Sequence, residues 1–118
     1  MEEILDFSQL NNKSINIENI FSKKIEDSGK NLSGGEKQRI GIARALFQNR
    51  DIIILDEATS ALDKDTEEKI MNNLLKLNKT IIIISHNTTH IEKFDKILFF
   101  KSNGEIYFDS YDSLKNNR

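Results

Sequence analysis

The sequence predicts an α/β chain built on a parallel sheet, and three observations carry that prediction. Residues 52–55 and 81–84 are uninterrupted aliphatic runs of the kind found in parallel strands buried on both faces. A helix-start signal lies between them, so strand, helix and strand form one crossover unit. A second helix-start signal, Ser33 with Glu36 three residues on, precedes the first run.

The elements follow in order. Residues 1–24 are polar with apolar residues at three- and four-residue spacings, Ile4, Leu5, Phe7 and Leu10, then Ile15, Ile17, Ile20 and Phe21, which predicts two short helices. The capping box at Ser33 and Glu36 starts a helix to about Gln48, whose apolar residues leave Lys37 and Gln38 on its open side. The first aliphatic run ends in Asp56-Glu57. A second capping box, Asp65 with Glu68, predicts a helix through about Lys76, and the second aliphatic run ends in Ser85-His86. Two further runs, 96–101 and 105–108, flank Asn103-Gly104, the favoured dipeptide of a tight hairpin, and 110–116 closes as a short helix.

Composition removes several classes of function. The 118 residues carry 17 basic and 19 acidic side chains, a net charge of -2, which is not the cationic field of a dedicated nucleic-acid binder. Cysteine is absent, so disulfides, thiolate metal sites and thiol catalysis are excluded. The aliphatic runs are far shorter than the roughly 18–20 apolar residues a bilayer span needs. Met1-Glu2-Glu3 is acidic where a secretory signal is basic, so no targeting segment is expected.

Ligands collect at the carboxyl ends of parallel strands. Asp56 and Glu57 stand at one such end. Because a strand alternates its faces, adjacent acids share no role unless the chain turns; one can hold hydrated Mg²⁺ while the other reaches a nucleophilic water. Alternatively, the pair only marks where the strand meets solvent. His86 occupies the equivalent edge of the second strand, either as a structural residue or as a donor to a phosphate oxygen. Gly34 and Gly35 open a helix whose free amides favour an anion, though glycines also serve an ordinary entry turn.

The ordered set Leu32-Ser33-Gly34-Gly35-Glu36-Lys37-Gln38-Arg39, Ala43-Arg44-Ala45-Leu46, Ile52-Ile53-Ile54-Leu55-Asp56-Glu57-Ala58-Thr59-Ser60-Ala61-Leu62-Asp63 and Ser85-His86 resembles the nucleotide-binding domain of ABC transporters, densely over residues 29–86. The resemblance implies the C-terminal half of such a domain, of exporter type: part of a P-loop NTPase sheet with helices on both faces, preceded by part of the helical subdomain. Residues 1–48 would be the partial helical subdomain and 49–118 the C-terminal part of the ATPase core. It further implies that Ser33, Gly34, Gly35 and Glu36 form the signature loop facing the γ-phosphate of ATP bound to an opposite subunit. Asp56 would support Mg²⁺, Glu57 would be the general base, Ser60-Ala61-Leu62-Asp63 the loop coupling two sites, and His86 the histidine that touches the γ-phosphate. The implied partners are a second nucleotide-binding domain, head to tail, and a transmembrane domain at the cytoplasmic face of the cell membrane, with no nucleic acid.

Two departures qualify the match. Glu36 stands where transporters more often have Gln. No G-x-x-x-x-G-K-[ST] run is present, so the amides, Lys and hydroxyl that hold the β- and γ-phosphates are not supplied in cis, and the isolated chain is expected to be inactive. Gln9 lies in the wrong setting for the family's Q-loop, and Ile25-Glu26-Asp27-Ser28-Gly29 loosely resembles the exporter loop that meets coupling helices. Two other readings are a DNA-repair or chromosome-maintenance ATPase of the same superfamily, whose coiled-coil heptads residues 1–31 lack, and a non-hydrolytic remnant that offers its signature loop in trans.

Overall fold

A computed structural model describes residues 2–10 and 32–116. It resolves into two compact units, 1–86 and 87–118. The second short helix expected near 15–21 and the loop at 25–29 lie outside the described residues.

The first unit begins with α1 (Glu2–Phe7), followed by α2 (Gly34–Phe47), β1 (Ile52–Asp56), α3 (Lys64–Leu75) and β2 (Thr80–Ile84). Helix α2 starts as the sequence dictates. Ser33 Oγ accepts from Glu36 N at 3.1 Å, and Glu36 Oε2 accepts from Ser33 N at 3.0 Å, which completes the capping box. Its far end stops at Asn49, whose left-handed φ of 49° closes the last turn. Lys79 then ties that end to the start of β2, because its Nζ donates to Asn49 Oδ1 at 3.0 Å and Arg50 O at 2.8 Å.

Helix α3 corrects one expectation. Its cap is Asp63, not Asp65: Asp63 is extended, and its Oδ1 accepts from Thr66 N at 3.0 Å. Two acids two residues apart compete for the cap, and the one that ends the extended loop wins while Asp65 falls in the first turn.

β1 and β2 pair in parallel, with Ile53 opposite Ile81 and Leu55 opposite Ile83. Ile53 and Leu55 are buried, whereas Ile54 is 62% exposed and Ile52, Ile82 and Ile84 are also exposed. The expectation of strands buried on both faces is therefore corrected: among the described residues one face is covered. Parallel strands in the middle of a layered sheet read as continuous aliphatic runs, so sequence alone cannot show which layers are present. The core gathers Leu5, Leu10, Ile40 and Ala43, with Ile4 and Leu32 packed against it. Ile70 and Leu74 of α3 are completely buried. Asn73 Nδ2 donates to Phe7 O at 3.2 Å, and Arg39 donates to Gln9 O at 2.7 Å, joining α1 and its exit turn to the later helices.

In the second unit a 3₁₀ turn (Ile91–Lys93) precedes β3 (Ile97–Phe100), β4 (Ile106–Asp109) and α4 (Tyr111–Asn116). β3 and β4 are antiparallel, as expected of a hairpin. The turn is wider than a two-residue Asn-Gly turn. Lys101 N donates to Glu105 O at 2.9 Å and Gly104 N to Lys101 O at 3.0 Å, with Gly104 alone at positive φ, 88°. That is the three-residue loop with a left-handed glycine, which absorbs the strand twist through one residue instead of two.

Candidate functional site

The site is assembled where β1 ends. Glu57 follows Asp56 at φ 47°, in the left-handed region that costs an ordinary residue about 1–2 kcal/mol. Its conformation breaks the strand alternation and separates the two acids. Asp56 continues the exposed face of β1, while Glu57 turns toward β2 and is half-buried.

Three groups of bonds hold that turn. From β2, Ile84 O accepts Glu57 N at 2.9 Å, which prolongs the parallel ladder by one bond. From the following residue pair, His86 N donates to Glu57 Oε1 at 3.0 Å, and the His86 ring Nε2 lies 3.7 Å from the same oxygen with its side chain fully exposed. From within the turn, Ser60 Oγ donates to Glu57 O at 3.0 Å and Ser60 N to the same carbonyl at 3.3 Å. The carboxylate is thus anchored through one oxygen, while the imidazole stands open at the same edge.

Gln38 supplies a further anchor from α2, and its position corrects the expectation of an open-side residue. Its Nε2 donates to Glu57 O at 2.9 Å and to Ser60 Oγ at 2.8 Å, and its Oε1 accepts from Ala61 N at 2.8 Å. The helical pattern could not reveal this, because the partners lie 19 to 23 residues away in a turn whose shape depends on Glu57. Its one sequence signal is its place inside the Leu32 to Arg39 run.

The glycines of the α2 entry face the same turn. A Cβ on Gly34 would stand 3.3 Å from Ala61 Cβ, and one on Gly35 would stand 3.1 Å from Ala61 O. A Cβ at either position would need Ala61 to give by a few tenths of an ångström. Farther along, Thr59 Oγ1 donates to Oε1 of buried Glu67 at 3.0 Å, and hydrogen bonding from Thr66, chiefly through its backbone N–H, holds the Asp63 carboxyl below the usual carboxylate range. Ser33 to Glu36, Asp56, Glu57, Asp63 and His86 thus all lie in the first unit. The structure directly joins Glu57 to His86, and Gly34 and Gly35 to Ala61 of the Ser60 to Asp63 loop; Asp63 itself is engaged as a helix cap.

Among the described residues no group of three or more His, Cys, Asp or Glu is placed to cage a metal, and no helix is long and apolar enough to cross a membrane.

Comparison with known proteins bears on the family and the fold. The family model for the ABC transporter matches residues 6–60. The chain is 41% identical over 96 residues to the beta-(1-->2)glucan export ATP-binding/permease protein NdvA of Agrobacterium vitis, covering 80% of this chain and 16% of that protein. It is 41% identical over 100 residues to the ATP-dependent lipid A-core flippase of Vibrio vulnificus (strain CMCP6), covering 83% of this chain and 17% of the flippase. A solved bacterial Atm1-family ABC exporter with ATP bound superposes with a TM-score of 0.80 at 30% identity, over 99% of this chain and 21% of that one. The chain therefore spans about a sixth of the length of these curated relatives. By motif order, fold and relatives alike, it belongs to the ABC transporter family.

Proposed function

We propose that this chain works in the ATP-hydrolysing part of an ABC exporter, where Glu57 polarises the attacking water and Ser33, Gly34 and Gly35 contact the γ-phosphate of ATP held by a second, head-to-tail nucleotide-binding domain. The observation that carries this reading is the Glu57 turn. An acid held at φ 47°, with one carboxylate oxygen bonded to His86 N and the side chain half open, is pre-organised to accept a proton from water. His86, exposed at the same edge, is free to donate to a phosphate oxygen.

Asp56 fits a shared magnesium site. Mg²⁺ keeps several waters and is commonly held by one or two carboxylates plus substrate phosphates, so a single exposed acid at a strand end is an adequate contribution from this chain. Bound there, the ion would neutralise charge developing on the phosphate oxygens. The role of the protein's own residues is to orient: Glu36 stiffens the entry of α2 through its cap, and Asp63 fixes the start of α3 after the coupling loop.

In this reading residues 1–48 belong to the helical subdomain and 49–118 to the ATPase core, docked on a transmembrane domain at the cytoplasmic face of the cell membrane. No G-x-x-x-x-G-K-[ST] run occurs in the 118 residues, so the cradle for the β- and γ-phosphates must come from sequence outside them.

The test is Glu57→Gln in the assembled ATPase. Loss of a general base lowers turnover about 10²- to 10⁴-fold while Mg-ATP binding persists. Wild-type turnover by that variant would remove Glu57 from the chemistry. The 118 residues alone should show no tight Mg-ATP binding by calorimetry, and a micromolar dissociation constant would refute the shared-site reading.

A further inference from the structure

Resting on the reading of Glu57 as general base, we propose that Gln38 is a positioning residue: its carboxamide fixes the Glu57 turn and makes the phosphate-facing loop and the hydrolytic acid one mechanical unit.

The bonds are specific in kind. A primary amide has two N–H donors and one carbonyl, and all three are used. One N–H goes to Glu57 O, the other to Ser60 Oγ, and the carbonyl takes Ala61 N–H. Rotating the amide by half a turn would bring its oxygen against Glu57 O and its N–H₂ against Ala61 N–H, so one orientation satisfies every partner. Glu57 O is the focus, accepting from Gln38 Nε2, Ser60 Oγ and Ser60 N.

This focus lies on the residue whose backbone is strained. A glutamate at φ 47° relaxes toward negative φ unless neighbours hold it, and that change would swing its Cα–Cβ bond and with it the carboxylate. Ile84 O holds the amide side of Glu57, and Gln38 with Ser60 holds the carbonyl side. Ser60 is local to the turn. Gln38 comes from α2, one helical turn beyond Gly34 and Gly35, whose backbone packs on Ala61 with room for no Cβ without adjustment. Displacement of the α2 entry is therefore transmitted to the Glu57–Ala61 turn by two routes, glycine packing and the Gln38 amide.

Three variants test this in the assembled ATPase, beside Glu57→Gln as reference. Gln38→Met keeps the length of the side chain and removes all three bonds. It is expected to lower kcat about 100-fold, the scale of a modest misplacement of a catalytic group, with KM for ATP unchanged within about twofold. Gln38→Glu keeps the acceptor for Ala61 N–H but loses both donors, so Ala61 amide exchange stays slow in the chain while kcat still falls. Combining Gln38→Met with Glu57→Gln should add no further loss, because one variant acts through the other. The proposal is overturned if Gln38→Met keeps wild-type kcat, if only KM rises, if Gln38→Glu turns over at the wild-type rate, or if the double variant loses rate multiplicatively. Should Gln38→Met fail to fold, Ser60→Ala, which removes one donor to Glu57 O, carries the same kcat-against-KM comparison. Wild-type turnover by Glu57→Gln would instead remove the reading on which this rests, a separate and recognisable result.

Discussion

Two turns place a residue in the left-handed region just past a strand, and they manage it in opposite ways. After β3 the residue is Gly104 at φ 88°, with no Cβ to strain and open space around it. After β1 it is Glu57 at φ 47°, held by bonds from α2, β2 and its own turn. The hairpin solves its geometry with residue type, and the β1 turn with tertiary bonding. The chain tolerates strain where the candidate carboxylate stands and avoids it at a solvent-exposed hairpin, so its tertiary bonds gather where a side chain is held in one orientation.

The comparison can be broken at each turn. The largest effect is expected at the hairpin: Gly104→Ala places a Cβ in a left-handed position with nothing to hold it, costing about 1–2 kcal/mol in urea unfolding followed by a probe in the second unit. An unchanged midpoint would mean that the turn readily changes type. At β1 the native residue itself carries the strain. Glu57→Ala and Glu57→Gly both delete the carboxylate, so their difference isolates backbone strain, and the glycine variant should be the more stable by about 1 kcal/mol. Equal stability would show that the network, not φ, sets the cost of this turn.

Gly41 provides the control within α2. It lies mid-helix with nothing within 4 Å of an added Cβ, so Gly41→Ala should stabilise by about 0.5–1 kcal/mol in the same measurement. A loss there would point to an unseen close approach.

The smallest effect is a pH dependence shared by both regions. Asp63 is held below its ordinary range by Thr66, and Glu105 by hydrogen bonding from Asn103, then Tyr107 and Lys101. Both carboxylates are lowered in the folded state, so each contributes stability that is fully present above an unfolded value of about 4 and is lost as pH falls through the folded value. Asp63→Asn, which keeps a capping oxygen, and Glu105→Gln should each flatten the acid limb of the stability curve relative to wild type. An acid limb as steep as wild type in both would remove these two groups from the pH response.

Much of this was legible in the residues. The capping box at Ser33 and Glu36 and the parallel pairing of the two aliphatic runs, which brings Glu57 and His86 to one edge, rest on local pattern or on strand geometry, and local signals survive folding. Three features were not legible, for different reasons. The α3 cap lay between two near-equivalent acids, Asp63 and Asp65, and only the backbone of the preceding loop decides between them. The exposed face of β1 depends on which layers cover it, and an aliphatic run looks the same in either case. Helical periodicity puts Gln38 on the open side because it places only a Cβ, whereas the amide reaches a turn that exists only once Glu57 has adopted φ 47°.

The open apolar faces have a thermal consequence. Ile52, Ile54, Ile82 and Ile84 on one sheet, and Leu98, Phe100, Ile106 and Phe108 on the hairpin, are hydrated in the folded chain and gain comparatively little new hydration on unfolding. Heat capacity rises with newly hydrated apolar surface, so these residues contribute less than a buried core would to the usual roughly 12–15 cal/mol/K per residue. The stability curve of the 118-residue chain is therefore expected to be weakly curved between cold and heat denaturation.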